Sequence, residues 1–170
     1  VQNQHFLQNG ATGQTTGELV FNTAMSGYQE IISDPSYCQQ IITFTCPHIG
    51  NVGVNPDDAE ATHIFAAGVV MREYTPYPSN WRAALSLGDY LKKNNIMAIA
   101  GVDTRAITHH LRNHGAQAAA IITDCEHPER AIELARDFKG IQGTNLATEV
   151  SIKKQAQWKY NWNPFGQCSW

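Results

Sequence analysis

Apolar and polar positions alternate along the chain between short buried-strand runs and helical stripes. Leu19 to Phe21 and Ile41 to Phe44 are brief apolar, β-branched runs bounded by turn residues, and they predict buried strands on either side of a connection from Gly27 to Tyr37. His63 to Arg72 predicts a further strand. The stretch Thr75 to Pro78 carries two prolines, cannot continue either regular structure, and reads as a surface loop. Ser86 opens a helix, with Asp89 three residues on as a partial capping box and Leu87, Tyr90 and Leu91 on one face; Asn94 and Asn95 end it. After a strand from Ile96 to Ala100, Asp103 is placed to cap a second helix with Ile107 and Leu111 as its apolar stripe and Gly115 as its left-handed stop. A strand from Ala118 to Thr123 follows. Pro128 suits the first turn of a third helix, with Ile132, Ala135 and Phe138 sharing a face and Gly140 ending it.

This β-α-β-α-β-α order predicts an α/β domain whose later strands run parallel, and the strand-rich first half predicts a second, more antiparallel sheet. The chain has 170 residues, enough for one domain with a core, at 42% hydrophobic content. Residues 1–150 are expected to form that domain. From Ser151 the pattern changes to SIKKQAQWKYNWNPFGQCSW, without a sustained period, which reads as a linker over 151–170. Trp158, Trp162 or Phe165 are expected to pack on this domain or on a following one.

A formal net charge of -3 with only 16% charged residues supplies no basic field for phosphates, so nucleic acid is not an expected partner. Protein or metabolite partners fit better. No apolar stretch is long enough to span a bilayer, and the start VQNQHFLQNG lacks the basic and apolar regions of a signal peptide, so a soluble cytoplasmic protein is expected. Cys38, Cys46, Cys125 and Cys168 are widely and irregularly spaced, as free thiols are, with no zinc or redox pair.

Five groups of residues invite a chemical reading. In Asp34-Pro35-Ser36-Tyr37 the proline sets the turn, Asp34 bonds back to it, and the Ser36 hydroxyl is left to point outward. Taken alone, Ser36 reads more readily as a residue that completes the turn. His110 and His114 lie one helical turn apart, as two metal ligands would, but His109 points elsewhere and no third ligand follows, so a solvated helix end is the better reading and no metal is assigned. Cys46 and His48 raise the question of a nucleophile and its base, although Pro47 breaks the strand between them and no group is evident to orient the imidazole. Gly50-Asn51-Val52-Gly53 lacks the Lys-Ser/Thr of a phosphate loop and reads as a shaped turn that lets another backbone approach. Asp103-Thr104-Arg105 reads as a helix cap with an arginine available for an interdomain or intersubunit salt bridge.

The block GELVFNTAMSGYQEIISDPSYCQQIITFTCPHIGNVGVN from Gly17 to Asn55 resembles the N-terminal domain of the small, glutamine-hydrolysing subunit of carbamoyl phosphate synthetase. SNWRA at Ser79 to Ala83, SLGDYLKKNNI at Ser86 to Ile96 and IAGVDTRAITHHLRNHGAQ at Ile99 to Gln117 resemble the same family in the same order. The resemblance implies a three-layer sheet/sheet/helix domain with a mostly parallel central sheet and a second, more antiparallel sheet. It implies a ligase subunit that releases ammonia from L-glutamine for a large subunit, which makes carbamoyl phosphate from bicarbonate with ATP and Mg, for arginine and pyrimidine synthesis. The family's catalytic Cys and His lie in a following glutaminase domain, so no catalytic residue and no cofactor are expected within these 170 residues and the piece alone is expected to be inactive. The resemblance further implies that Ser36 reaches across the domain boundary to the bound L-glutamine, and that this domain supports the glutaminase domain and docks the large subunit as a heterodimer. It gives Cys46 no catalytic role. Two alternatives stand beside this reading: a pure interaction module without substrate contact, and a freestanding hydrolase built on Cys46 and His48.

Overall fold

The computed structural model describes residues 7–123 and 128–155. Eight strands and five helices follow one another as β1 (Leu7–Gln8), β2 (Gln14–Asn22), α1 (Tyr28–Ser33), β3 (Gln40–Phe44), β4 (His48–Ile49), β5 (Gly68–Val70), β6 (Glu73–Tyr74), α2 (Leu87–Lys93), β7 (Met97–Ala100), α3 (Thr104–His114), β8 (Gln117–Ile122), α4 (Glu129–Asp137) and α5 (Leu146–Val150). A 3-10 turn, Pro35–Tyr37, precedes β3.

Six strands form the main sheet in the order β1-β7-β5-β3-β2-β8, and β4 pairs with β6 in a second, small sheet. The central pairings β2/β3, β3/β5 and β5/β7 are parallel, while β1/β7 and β2/β8 at the two margins are antiparallel. The α/β class, the mostly parallel central sheet and the second sheet are therefore present. The antiparallel pairings sit at the margins of the main sheet, and the ladder of the small sheet runs parallel, His48 opposite Glu73. The last strand, β8, was expected among the parallel ones. Instead it returns beside β2 in the opposite sense, with Gly17 opposite Ala119, because β2 extends back to Gln14 and offers a long free edge.

Both faces of the central strands are covered, as a parallel sheet requires. On one face Ile42 and Phe44 of β3, Val69 of β5 with Met71 just beyond it, and Ala98 and Ala100 of β7 meet Tyr28 and Ile32 of α1 and Leu87 and Leu91 of α2. On the other, Ile41, Val70, Met97 and Ile121 cluster with Leu19 and with Ile107 of α3.

The helix ends obey local chemistry. Ser86 Oγ accepts from Asp89 N at 3.1 Å and donates to Asp89 Oδ2 at 2.7 Å, and Asn95 follows α2 at φ 58. Asp103 Oδ1 accepts from Ala106 N at 3.0 Å, and Gly115 closes α3 at φ 79. The predicted stripe of α4 needs correction: Ile132 is exposed, and the half-buried positions are Ala131, Leu134, Ala135 and Phe138, the spacing of a helix face.

One polar group in the core is unsatisfied. Thr43, in the middle of β3, is fully buried and its Oγ1 has no hydrogen-bond partner among the described residues. An unpaired buried hydroxyl costs about 1–3 kcal/mol, and valine has nearly the same shape. Thr43→Val is therefore expected to leave stability unchanged or raise it by roughly 1 kcal/mol, read from the midpoint of urea unfolding.

Candidate functional site

Ser36 lies on the 3-10 turn that leads into β3. Asp34 Oδ1 accepts from Ser36 N at 2.8 Å, the Asp34 and Pro35 carbonyls accept from Tyr37 N and Cys38 N at 3.1 Å, and Tyr37 Oη accepts from Asn22 Nδ2 at 2.9 Å. The serine itself is exposed, and its hydroxyl has no partner among the described residues. Immediately after the turn the backbone is clamped. Gln39 adopts a left-handed φ of 60, its N donates to the Phe65 carbonyl at 3.3 Å, and its carbonyl accepts from Glu18 N at 3.1 Å. That carbonyl comes so near β2 that a Cβ on Gly17 would stand 2.7 Å from it, so only glycine admits the approach.

Cys38, next to the turn, is buried and free. Burial, then the hydrogen bond to Glu149 and the charge of that carboxylate, push its thiol above the ordinary range, so it remains a protonated donor.

The segments around Tyr28, Gly53 and Arg82 meet in a brace beside α1. Tyr28 Oη donates to the Gly53 carbonyl at 2.7 Å, while Gln29 Nε2 donates to the Asn55 carbonyl at 2.6 Å and Gln29 Oε1 accepts from Asn55 N at 3.0 Å. Asn55 Nδ2 and Arg82 Nη2 both donate to Asp58, at 2.6 and 2.9 Å, and Ser79 N donates to the Asn51 carbonyl at 2.9 Å. Gly53, at φ 68, is packed so closely that a Cβ would lie 2.6 Å from Ala83 Cβ. The Gly50 to Gly53 segment is thus a shaped turn, and the chain that approaches it is this chain's own 78–85 segment. A cleft of about 170 Å3 opens between these loops; of its charged lining residues, Arg82 and Asp58 are paired with each other, and Glu30 is the third. On the outer side of the brace Trp81 is 93% and Tyr77 84% exposed.

The alternative chemical readings separate. Cys46 Sγ donates to the Met25 and His48 carbonyls, each at 3.7 Å, whereas the His48 ring pairs through Nδ1 with Glu73 Oε2 at 2.9 Å. The orienting carboxylate that local sequence did not reveal is present, brought by the β4/β6 pairing, but thiol and imidazole do not bond to each other. His110 and His114 stack with ring centroids 4.4 Å apart, and His114 Nδ1 donates to the His110 carbonyl at 2.9 Å. No group of three metal-ligating side chains occurs among the described residues. Asp103 caps α3, and Arg105 is exposed with no ion pair among the described residues. Cys125, Cys168, Trp158, Trp162 and Phe165 lie outside the described residues.

Fold and site together define an α/β domain with Ser36, Tyr77 and Trp81 exposed on its turns and loops. The chain belongs to the family described as carbamoyl-phosphate synthase small chain, CPSase domain, which it matches over residues 3–121. It is similar to the carbamoyl phosphate synthase small chains of Stutzerimonas stutzeri, 54% identical over 156 residues, and of Pseudomonas syringae pv. tomato, 55% identical over 156 residues, covering 91% of this chain and 41% of each relative. The small chain of Pasteurella multocida is 49% identical over 154 residues, 91% of this chain and 40% of its own. The chain thus spans about two-fifths of the length of these curated relatives.

Burial holds the Tyr28 phenol well above the ordinary tyrosine range. Because its folded pKa lies above its unfolded one, the stability it confers is complete below about pH 10 and is lost as pH rises beyond that. Tyr28→Phe is expected to cost about 1–2 kcal/mol at neutral pH, since the Gly53 carbonyl loses its donor, and to make stability fall less steeply toward alkaline pH. Urea unfolding from about pH 7 to about pH 11 reads both effects.

Proposed function

We propose that this chain is the N-terminal module of a glutamine-hydrolysing carbamoyl phosphate synthase small subunit, and that it works in the cytoplasm. In that role it steadies a glutaminase domain, docks a large subunit, and contributes the Ser36 hydroxyl to glutamine binding. Family membership and the small-chain relatives support the assembly, since a small chain implies a larger partner. No helix among the described residues is long and apolar enough to cross a membrane.

The observation that carries substrate contact is the exposed, unpartnered Ser36 hydroxyl on a turn whose other polar groups are engaged. A hydroxyl held this way can orient an amino-acid head group without first losing its own rotational freedom or breaking a bond. A hydrogen bond to a charged group contributes about 1.5–3 kcal/mol, a tenfold or larger effect on affinity. Glutamine hydrolysis and carbamoyl phosphate synthesis then occur at sites outside these residues. ATP, Mg and bicarbonate belong to the large subunit, and the product enters arginine and pyrimidine synthesis. Ammonia is mostly protonated in neutral water and then cannot attack, so a sheltered route between the two sites favours a rigid spacer.

Ser36→Ala in the complete small subunit, assembled with its large partner, is expected to raise the KM for glutamine about tenfold and to leave ammonia-driven synthesis unchanged. An unchanged KM would leave the pure interaction module as the better reading. Docking is supported by Trp81 and Tyr77, bulky aromatics of the kind that anchor interfaces, left uncovered on loops that are braced and therefore pre-ordered. Trp81→Ala is expected to weaken association with the large subunit by roughly tenfold or more while shifting fold stability by less than about 0.5 kcal/mol, measured by titration calorimetry and thermal unfolding.

A further inference from the structure

Helix α5 lies more than a hundred residues beyond the Ser36 turn in sequence and touches it in space. Glu149 Oε2 accepts from Cys38 Sγ at 3.6 Å and from Gln39 Nε2 at 3.4 Å, contacts that span 111 and 110 residues. The rest of the segment bonds within itself. Asn145 Oδ1 accepts from Thr148 N at 3.3 Å, Ser151 N donates to the Ala147 carbonyl at 3.0 Å, and Lys153 Nζ donates to the Thr148 carbonyl. Among the described residues, the two bonds to Glu149 are therefore the hydrogen bonds that join 139–155 to the sheet domain.

A five-residue helix with no buried residue has little stability of its own, so its position depends on what it touches. What it touches is a stretch of backbone clamped on both sides. Gln39 is a non-glycine residue in the left-handed region, a conformation that costs roughly 1–2 kcal/mol and survives where neighbours over-determine it. Its backbone is held from β2 on one side and from Phe65 on the other. The Cys38 thiol, kept protonated by burial, is a donor suited to a carboxylate. One carboxylate oxygen thus collects two donors from adjacent residues that directly follow the serine turn.

We propose that Glu149 is a positioning residue: it pins the segment that leads out of this domain against the Ser36 turn, and so sets where the following part of the subunit stands relative to the Ser36 hydroxyl. This inference rests on the reading of Ser36 as a glutamine contact. A pin of this kind acts on glutamine use alone, because ammonia-driven synthesis does not pass through the boundary it sets.

The test compares Ser36→Ala, Glu149→Ala, Glu149→Gln and the double Ser36→Ala/Glu149→Ala change in the complete small subunit bound to its large partner. Glu149→Ala is expected to raise the glutamine KM about three- to tenfold with ammonia-driven kcat unchanged. Glu149→Gln, which keeps one acceptor, should fall between it and the parent. The double variant should lose little beyond Ser36→Ala, since the two residues act through one contact. Alkylation of Cys38 followed by mass spectrometry provides a readout independent of activity, and it should quicken in Glu149→Ala as the thiol loses its cover and the neighbouring charge. If Ser36→Ala raises KM while Glu149→Ala does not, or if their effects simply add, the positioning role is overturned and the serine contact stands. If Ser36→Ala itself changes nothing, the glutamine contact fails and the positioning role falls with it. Unchanged Cys38 alkylation in Glu149→Ala would refute the pin whatever the kinetics.

Discussion

Parallel pairing of β2 with β3 is the constraint from which the rest of the structure follows. Glu18 stands opposite Gln40 and Asn22 opposite Phe44, so a chain that leaves β2 at Asn22 must travel back the length of the ladder before it can enter β3. It has seventeen residues, 23–39, in which to do so. Helix α1 covers part of the distance and buries Tyr28 and Ile32 against the sheet, and the 3-10 turn completes the return. Ser36 is therefore exposed at a turn that topology imposes. The turn cannot relax, because Ile41, Ile42 and Phe44 beyond it are fully buried and fix the register.

The same crossover organises the brace. Two polar side chains on α1, Tyr28 and Gln29, reach outward to the backbone of the 53–55 loop, and Asp58 and Arg82 join that loop to the one that carries Trp81. The bonds made by Tyr28 and Gln29 are buried or half-buried, so they are worth more than exposed ones, and losing one partner leaves another stranded; the Arg82 bond to Asp58 is exposed. Motifs far apart in the chain thus serve one mechanical purpose. They hold two long irregular loops in place without secondary structure of their own.

How much of this could be read from the chain varied with how local the cause was. Ser86, Asp103, Asn95 and Gly115 act within a turn of their own position, and their caps were legible as written. Strands β3, β7 and β8 were legible because their apolar runs are uninterrupted, and the Asp34 to Tyr37 turn because proline and aspartate specify it. Helix α1 was not: its six residues are too few to show a period, and they lie among turn-forming neighbours. The two-residue strands β4 and β6 carry no pattern at all, and with them the His48 and Glu73 pair stayed hidden. The sense of β8 depends on which edge of the sheet is open, a property of the assembled sheet. On the short helix α4 two stripes, one with Ile132 and one with Leu134, are nearly equivalent in the sequence, and only packing separates them. Glu149 gave no local sign, because its partners lie at the other end of the chain.

In the proposed role, a domain that contributes a single hydroxyl need not be reactive, but it must be stiff. The value of a hydrogen bond to a bound amino acid falls quickly if the donor must first be brought into place, because ordering one mobile residue costs as much free energy as the bond returns. Here that ordering is done during folding, by β3 behind the turn, by the left-handed Gln39 carbonyl pressed against Gly17, and by the caps within the turn itself. The strain at Gln39 then has a physical reason. A relaxed backbone at that position would turn the chain away from β2 and carry Ser36 with it. A stiff hydroxyl, however, is useful only if what it must meet is equally well placed, and that requires a second contact between the frame and the chain leading away from it. The carboxylate of Glu149 supplies one at the same point, on the two residues that inherit the stiffness of the sheet.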